Sequence, residues 1–300
     1  MVLDNFQKYM KAVGTGPKGN RDLNFDESKD MMHLILQQSV HPQRIAAFLL
    51  GWRLKPETIE EFKGALCALD EHLIQTKVQN SIELGYPFDG KAKNPYLFPL
   101  IAKVLQDSTL NLIIVGDEVQ PAKDGITTKE ICSNIILEKN THFFDRKNYC
   151  KELANLTQIR QILALRSGLN TIEKLPNIAQ SEFAITGVHH KPYVKKYQEI
   201  FASRYKKFAL IQGNEGSPEL FSKGALWISQ NGYTTEELID PTFYGINMAK
   251  STEVISLKAS LEMIQNPSAN LLKLAKLNAA ILLFVTDRAK SINEAYETLI

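Results

Sequence analysis

After residue 80 the chain alternates short β-prone runs with helical stretches, and this alternation constrains its fold more than any other feature. The runs are Ser81–Leu84, Leu110–Val115, Phe183–Val188 and Phe208–Ile211, each followed by Gly or Pro and then by a helical pattern. Strands separated by helices predict an α/β fold with a mostly parallel sheet covered by helices. Ala225–Ser229 reads as one additional strand.

Residues 1–75 read differently, as helices. Met31, Met32, Leu34, Ile35 and Leu36 form an apolar stripe near the helical period, and Ile45, Ala46, Phe48, Leu49 and Trp52 form a second. Pro56-Glu57-Thr58 predicts the opening of a further helix, with Pro in its first turn. A helical segment from Lys151 to Arg166 interrupts the strand–helix alternation, and the last 50 residues return to helices. The predicted organisation is a small all-helical domain over residues 1–75, joined by about 151–175, and a larger α/β domain over 76–300.

Composition excludes several classes. The longest unbroken apolar run, Ala279–Val285, has seven residues, against roughly 20 needed to span a bilayer. No membrane partner is expected, and the N-terminus shows no basic segment followed by an apolar one. Cys67, Cys132 and Cys150 stand far apart with no C-x-x-C pair, a pattern of reduced thiols that predicts the cytoplasm. The adjacent His189-His190 has no H-E-x-x-H context, so no metal site is expected. Gly14-Thr15-Gly16-Pro17-Lys18-Gly19 satisfies G-x-G-x-x-G, but Phe6–Val13 before it reads as a helix. A dinucleotide fingerprint needs a strand there, so a loop between helices is expected. Neither a G-x-S-x-G nor a P-loop is present.

Two loops that follow strands are more informative: Gly85-Tyr86-Pro87-Phe88-Asp89-Gly90-Lys91-Ala92-Lys93, and Gly116-Asp117-Glu118-Val119-Gln120-Pro121-Ala122-Lys123-Asp124-Gly125. Open α/β sheets bind ligands at the carboxyl ends of their strands, where these loops fall. Together with the helical N-terminus, the return at 151–166, Gly213-Asn214-Glu215-Gly216, Ile45–Thr58 and Lys276–Ala280, their order resembles anthranilate phosphoribosyltransferase over nearly the whole chain. That is glycosyltransferase family 3, related to the pyrimidine nucleoside phosphorylases. The Gln120–Gly125 loop resembles most a divergent, YbiB-type branch associated with nucleic-acid binding.

The departures from the family pattern bear on activity. Family enzymes carry G-T-G-G-D where this chain has Gly85-Tyr86-Pro87-Phe88-Asp89, and backbone amides can wrap a pyrophosphate only where side chains are missing. The family's G-N-R-x-x-S-S-K falls on Gly116–Lys123, where only Gly116 and Lys123 survive and Glu118 stands for Arg. At about 5 Å and an effective dielectric near 20, each unit repulsion against pyrophosphate costs roughly 3 kcal/mol. The family's Mg²⁺-binding loop leaves Gly213, Gly216 and Glu219 but no aligned Asp, and Ala164–Thr171 lacks the last arginine of the aromatic-acid pocket. Anthranilate transfer is therefore not expected. The residues of the remnant pocket are Gly85, Asp89, Gly116, Asp117, Lys123, Thr127, Thr128 and Glu219.

Residues 181–215 carry six basic side chains against three acids. Lys191, Lys195, Lys196, Arg204, Lys206 and Lys207 are interleaved there with Tyr193, Tyr197 and Tyr205, and Pro192 marks a helix start. Lys91 and Lys93 near Tyr86 and Tyr96, and Arg146 and Lys147 near Tyr149, repeat the theme. Such a segment is either a solvated helix face or a surface that neutralises phosphates and stacks bases without sequence preference. The resemblance favours the second. It implies a homodimer paired through the N-terminal helices, binding nucleic acid, single-stranded DNA among the candidates, in basic grooves. The alternative is an active glycosyltransferase or phosphoribosyltransferase with a remodelled pocket, in which Lys123, Thr127, Thr128 and Glu219 handle a ligand. Mg²⁺ is needed only in that case; otherwise no cofactor is expected.

Overall fold

A computed structural model describes residues 5–189, 191–248 and 251–299. His190 of the paired histidines lies outside the described residues.

Four helices come first: α1 (Gln7–Gly14), α2 (Phe25–Leu36), α3 (Pro42–Leu54) and α4 (Ile59–Asp70). Their starts have local causes. Asn24 and Glu27 form a capping box at α2, and Thr58 and Glu61 form another at α4, each satisfying amides that a helix leaves unpaired. Pro56 thus lies outside the first turn of α4, because the Thr58 hydroxyl caps three residues from Glu61. Buried Glu61 also accepts from Leu23 N (2.8 Å), Trp52 Nε1 (3.0 Å) and Lys55 Nζ (2.9 Å), tying three segments to one carboxylate. The Gly14–Gly19 stretch joins α1 to α2 with no strand before it, as the sequence suggests.

The chain then runs through β1 (Ser81–Gly85), α5 (Phe98–Val104), β2 (Asn111–Gly116), α6 (Thr128–Asn134) and β3 (Thr141–Asp145). Four short helices follow, α7 (Arg146–Tyr149), α8 (Lys151–Ala154), α9 (Thr157–Leu163) and α10 (Leu169–Ile172). The single segment expected over Lys151–Arg166 is thus broken into α8 and α9. Of these helices, α9 packs on α3 and α10 on α4. Next come β4 (Phe183–Gly187), α11 (Pro192–Phe201), β5 (Lys207–Ile211), β6 (Gly224–Gln230) and β7 (Tyr233–Ile239). The chain closes with α12 (Leu257–Gln265), α13 (Ala269–Val285) and α14 (Ile292–Thr298).

All seven strands form one sheet in the order β3-β2-β1-β4-β5-β6-β7, parallel through β5 and antiparallel at β6 and β7. The α/β class and the mostly parallel sheet read from the sequence hold. Alternate strand residues feed two cores. Ile113, Val115, Ala184 and Phe208 pack with α1–α4 and α11 on one face. Ile82, Leu84, Ile114, Ile185 and Ala209 pack with α5 and α13 on the other. Among the described residues no single helix is long and apolar enough to cross a membrane.

Candidate functional site

The carboxyl ends of the parallel strands β1, β2 and β5 bring three loops to one edge of the sheet: 86–91, 117–127 and 212–217. The first two are locked together. Lys91 N donates to Ile126 O (2.9 Å) and Ile126 N to Lys91 O (2.8 Å), an isolated antiparallel bridge. Gly90 adopts φ +75°, and a Cβ there would stand 2.3 Å from Gly125 O. Only glycine permits that approach.

The loop 86–91 is not blocked by side chains projecting into it, as the sequence suggests. Tyr86 and Phe88 turn inward instead. The Tyr86 ring packs on Tyr96 and Phe98, with centroids 5.2 and 5.8 Å away, and its hydroxyl donates to Glu219 Oε1 at 2.6 Å. Burial, with Glu219 adding to it, holds the Tyr86 phenol well above its ordinary pKa. Phe88 lies under the Arg146 guanidinium, 4.8 Å from its centroid.

Glu219 is fully buried. Its carboxylate also accepts from Lys91 Nζ (2.5 Å), Leu97 N (2.6 Å) and Phe98 N (3.1 Å), so it caps the start of α5 from across the sheet. Three donors crowd Oε1, and the Lys91 ammonium neutralises the carboxylate through Oε2. The Mg²⁺ that the resemblance implies does not fit here, because the carboxylates are already paired with cations: Glu219 with Lys91, and Asp117 with Arg146 Nε at 2.7 Å through Oδ2 and with Lys129 Nζ at 3.9 Å through Oδ1. Among the described residues no group of three or more His, Cys, Asp or Glu side chains is placed to hold a metal ion.

Two other carboxylates occupy the places where an incoming anion would find donors. Asp89, buried, is gripped by Arg166 through Nε (3.0 Å) and Nη2 and lies 3.3 Å from Lys123 Nζ. Glu215, at φ +55°, accepts from the consecutive amides of Ala92 (2.6 Å), Lys93 (3.2 Å) and Asn94 (3.2 Å). Three successive N–H groups aimed at one point make an anion-binding concavity, and here the chain fills it itself. Lys123 Nζ donates to Glu215 O (2.9 Å) and Lys174 Nζ to Gly216 O (3.4 Å), fixing the turn that delivers Glu215. Burial pushes the Lys123 ammonium down and the Asp89 carboxylate opposes it. Glu215 is the residue of this candidate site that the sequence reading passes over; its only signal is its place between Gly213 and Gly216.

Behind this layer lies a buried neutral network. Arg146 Nη1 donates to Glu173 Oε2 (2.5 Å) and Nη2 to Thr157 Oγ1 (3.1 Å), while Arg160 donates to both Glu173 oxygens (2.5 and 2.8 Å). Asp117 Oδ1 has no hydrogen-bond partner.

Several expected roles need correction. Thr127 caps α6, engaged with Glu130, and Thr128 Oγ1 donates to Val115 O (2.9 Å), so neither hydroxyl faces a ligand. Gly85 and Gly116 end β1 and β2. Glu118 points outward to Lys147 Nζ at 2.6 Å, which lowers the Glu118 carboxyl pKa. The repulsion reckoned for Glu118 is therefore offset by the Lys147 charge beside it. Lys91 and Arg146 are fully buried and spent on carboxylates, so they offer no charge at the surface. Lys207 pairs with Asp287 and Arg204 with Asp70 (2.7 and 2.8 Å). Lys196 Nζ donates to Glu57 O (2.7 Å) over the Phe62 ring (4.8 Å). Tyr205 is buried and Tyr197 packs on Phe201, leaving Tyr193 as the exposed tyrosine of that segment. The basic side chains that do reach solvent are Lys93, Lys147, Lys191, Lys195 and Lys206. Cavities of about 490 and 370 Å³ open elsewhere, beside Phe221–Lys223 and Asp240–Thr242 in one case and beside Asn134–Glu138 in the other.

Comparison with known proteins bears on this arrangement. Residues 7–73 match the glycosyl transferase family, helical bundle domain. An uncharacterized protein of Aquifex aeolicus is 28% identical, covering 97% of each chain. The anthranilate phosphoribosyltransferase of Saccharolobus islandicus is 24% identical over 92% of this chain and 86% of its own. A crystal structure of the Thermus thermophilus enzyme superposes with TM-score 0.72 at 15% identity, covering 92% of this chain and 90% of that one. The fold is that of anthranilate phosphoribosyltransferase. The Saccharomyces cerevisiae enzyme in complex with PRPP and Mg superposes on this chain with TM-score 0.75 at 14% identity, over 98% of this chain and 93% of that one. The fold is therefore shared.

Proposed function

We propose that this protein has given up phosphoribosyl transfer and works in the cytoplasm as a homodimer that binds nucleic acid without sequence preference. The observation that carries the loss of transfer is an internal carboxylate: Glu215 sits on the consecutive amides of residues 92–94. A pyrophosphate entering here must displace it, or meet about 3 kcal/mol of repulsion per charge pair at 5 Å.

Support for nucleic-acid binding comes from the start of α11. Lys195 is 87% exposed and Lys191 72%, with exposed Tyr193 between them. Their carboxylate partners, Glu199 at 3.8 Å and Glu236 at 3.1 Å, are surface ion pairs. Such pairs are worth about 0–1 kcal/mol and are readily exchanged for phosphates. Homodimer formation is supported by Leu54 and Ile162, 74% and 77% exposed on the mutually packed α3 and α9. The relation to a nucleic-acid-binding branch of the family is part of the same reading.

Calorimetry with phosphoribosyl pyrophosphate and Mg²⁺, beside salt titrations with unrelated oligonucleotides, tests the proposal. The expected result is no saturable pyrophosphate binding and a salt-sensitive oligonucleotide affinity. Replacing Lys191 and Lys195 together by Ala should flatten the log–log salt slope by about 1.4 for single strands, at roughly 0.7 per phosphate contact. Saturable, Mg²⁺-dependent binding of phosphoribosyl pyrophosphate would instead favour an active transferase with a remodelled pocket. An unchanged slope in the folded double variant would reduce α11 to a solvated face.

A further inference from the structure

Far from the strand-end loops, α2 and the end of α4 bring two imidazoles together. His33 Nδ1 lies 3.2 Å from His72 Nε2, although 39 residues separate them. The other ring nitrogen of His33, Nε2, lies 3.2 Å from Glu71 Oε2, and the second oxygen of Glu71 is 2.6 Å from Lys29 Nζ. With Nε2–H directed at Glu71, neutral His33 presents the Nδ1 lone pair towards His72. Both rings are half-buried, open to an ion from solvent yet restrained by the helix packing.

We infer that His33 and His72 form a two-nitrogen clip for a borderline divalent cation of the Zn²⁺, Ni²⁺ or Cu²⁺ class. Imidazole nitrogens bind such ions at about 2.0–2.1 Å, so two of them on a tetrahedral ion stand about 3.3 Å apart with ring centroids about 5 Å apart. The observed separations are 3.2 Å and 5.4 Å. A ligating histidine ordinarily gives its other N–H to a carboxylate, which fixes the tautomer and raises its basicity. Glu71 stands in that position beside His33. On binding, the ion takes the Nδ1 lone pair of His33, the proton between the rings moves to Nδ1 of His72, and His72 Nε2 becomes the second ligand. Water completes the coordination. The ion would join α2 to the end of α4 and so stabilise the helical bundle against unfolding.

Titration of the untagged full-length protein with ZnCl₂ and NiCl₂ in a non-coordinating buffer, followed by calorimetry and thermal melts, tests this. One equivalent bound per chain and a rising Tm are expected. His33→Gln and His72→Gln should each weaken binding at least about tenfold, and Glu71→Gln by about 10–100-fold, the range for a carboxylate behind a ligating histidine. Far-UV circular dichroism establishes that the glutamine variants remain folded. No stoichiometric uptake by the native protein at about 1 mM free ion, or uptake unchanged in both histidine variants, would overturn the assignment.

Discussion

Glu83 gives the sharpest physical test of how this sheet is held. It stands in the middle of β1, between β2 and β4, and is fully buried. Its carboxylate accepts from Tyr205 Oη (2.5 Å) and from Asn177 N (3.0 and 3.1 Å). Arg204, the nearest guanidinium contributing to its charge balance, is already committed to Asp70. Burial pushes the Glu83 carboxyl up to about 7, against the Tyr205 hydrogen bond and the Arg204 charge, which act to lower it. In the unfolded chain the same group titrates near 4.5. Between those two values the folded protein therefore holds a proton that the unfolded chain releases. Its contribution to stability is full below pH 4.5 and is lost as pH rises through 7, by about 3 kcal/mol at 1.36 kcal/mol per unit. Glu83→Gln removes the titration and keeps an acceptor for Asn177 and Tyr205. Urea melts of both proteins at steps from pH 4.5 to 7.5, subtracted pairwise, cancel the other groups. The stability of the native chain relative to the variant should fall by about 3 kcal/mol across that window. A difference that stays flat would refute the reasoning.

Two further outcomes follow from the strand-end loops. Arg146→Met strands Asp117 and weakens the hold on Glu173, so it should cost about 3–5 kcal/mol in denaturant melts, with partial recovery on adding Asp117→Leu. Restoring glycines at Tyr86, Pro87 and Phe88 should create no anthranilate transfer and should cost at least about 3 kcal/mol, since it removes two buried rings and one donor to Glu219. Transfer detected in a product assay, by either the native chain or this variant, would contradict the assignment of the loops.

The central strands were legible because Leu112–Val115, Phe183–Ile185 and Phe208–Ile211 are continuous apolar runs, as strands buried on both faces must be. The outer strands were not. β3 carries a polar, half-exposed Thr-His-Phe-Phe-Asp sequence, and β7 is exposed over most of its length with two adjacent glutamates. Such edge strands lack the burial that makes a period visible. Of the candidate site, the two loops could be located from the glycines and strand ends. Which charges they neutralise could not, because Lys91 meets Glu219 across 128 residues and Ala92 N meets Glu215 across 123. The basic segment at 191–207 looked uniform in sequence. Its engaged basic residues, Lys196, Arg204 and Lys207, are set apart only by partners contributed by Glu57, by Asp70 of α4 and by Asp287 after α13.

The bridge between Lys91 and Ile126 makes two loops from separate stretches of chain into a single mechanical part. A side chain at Gly90 would press on Gly125 O at 2.3 Å, and one at Gly125 would press on Lys91 N at 2.7 Å. Prising apart either contact shifts Asp89 away from Lys123 on the neighbouring loop and, through Lys91, pulls on the carboxylate that caps α5. The two loops share their backbone hydrogen bonds, so a single substitution that loosens one loop should loosen both.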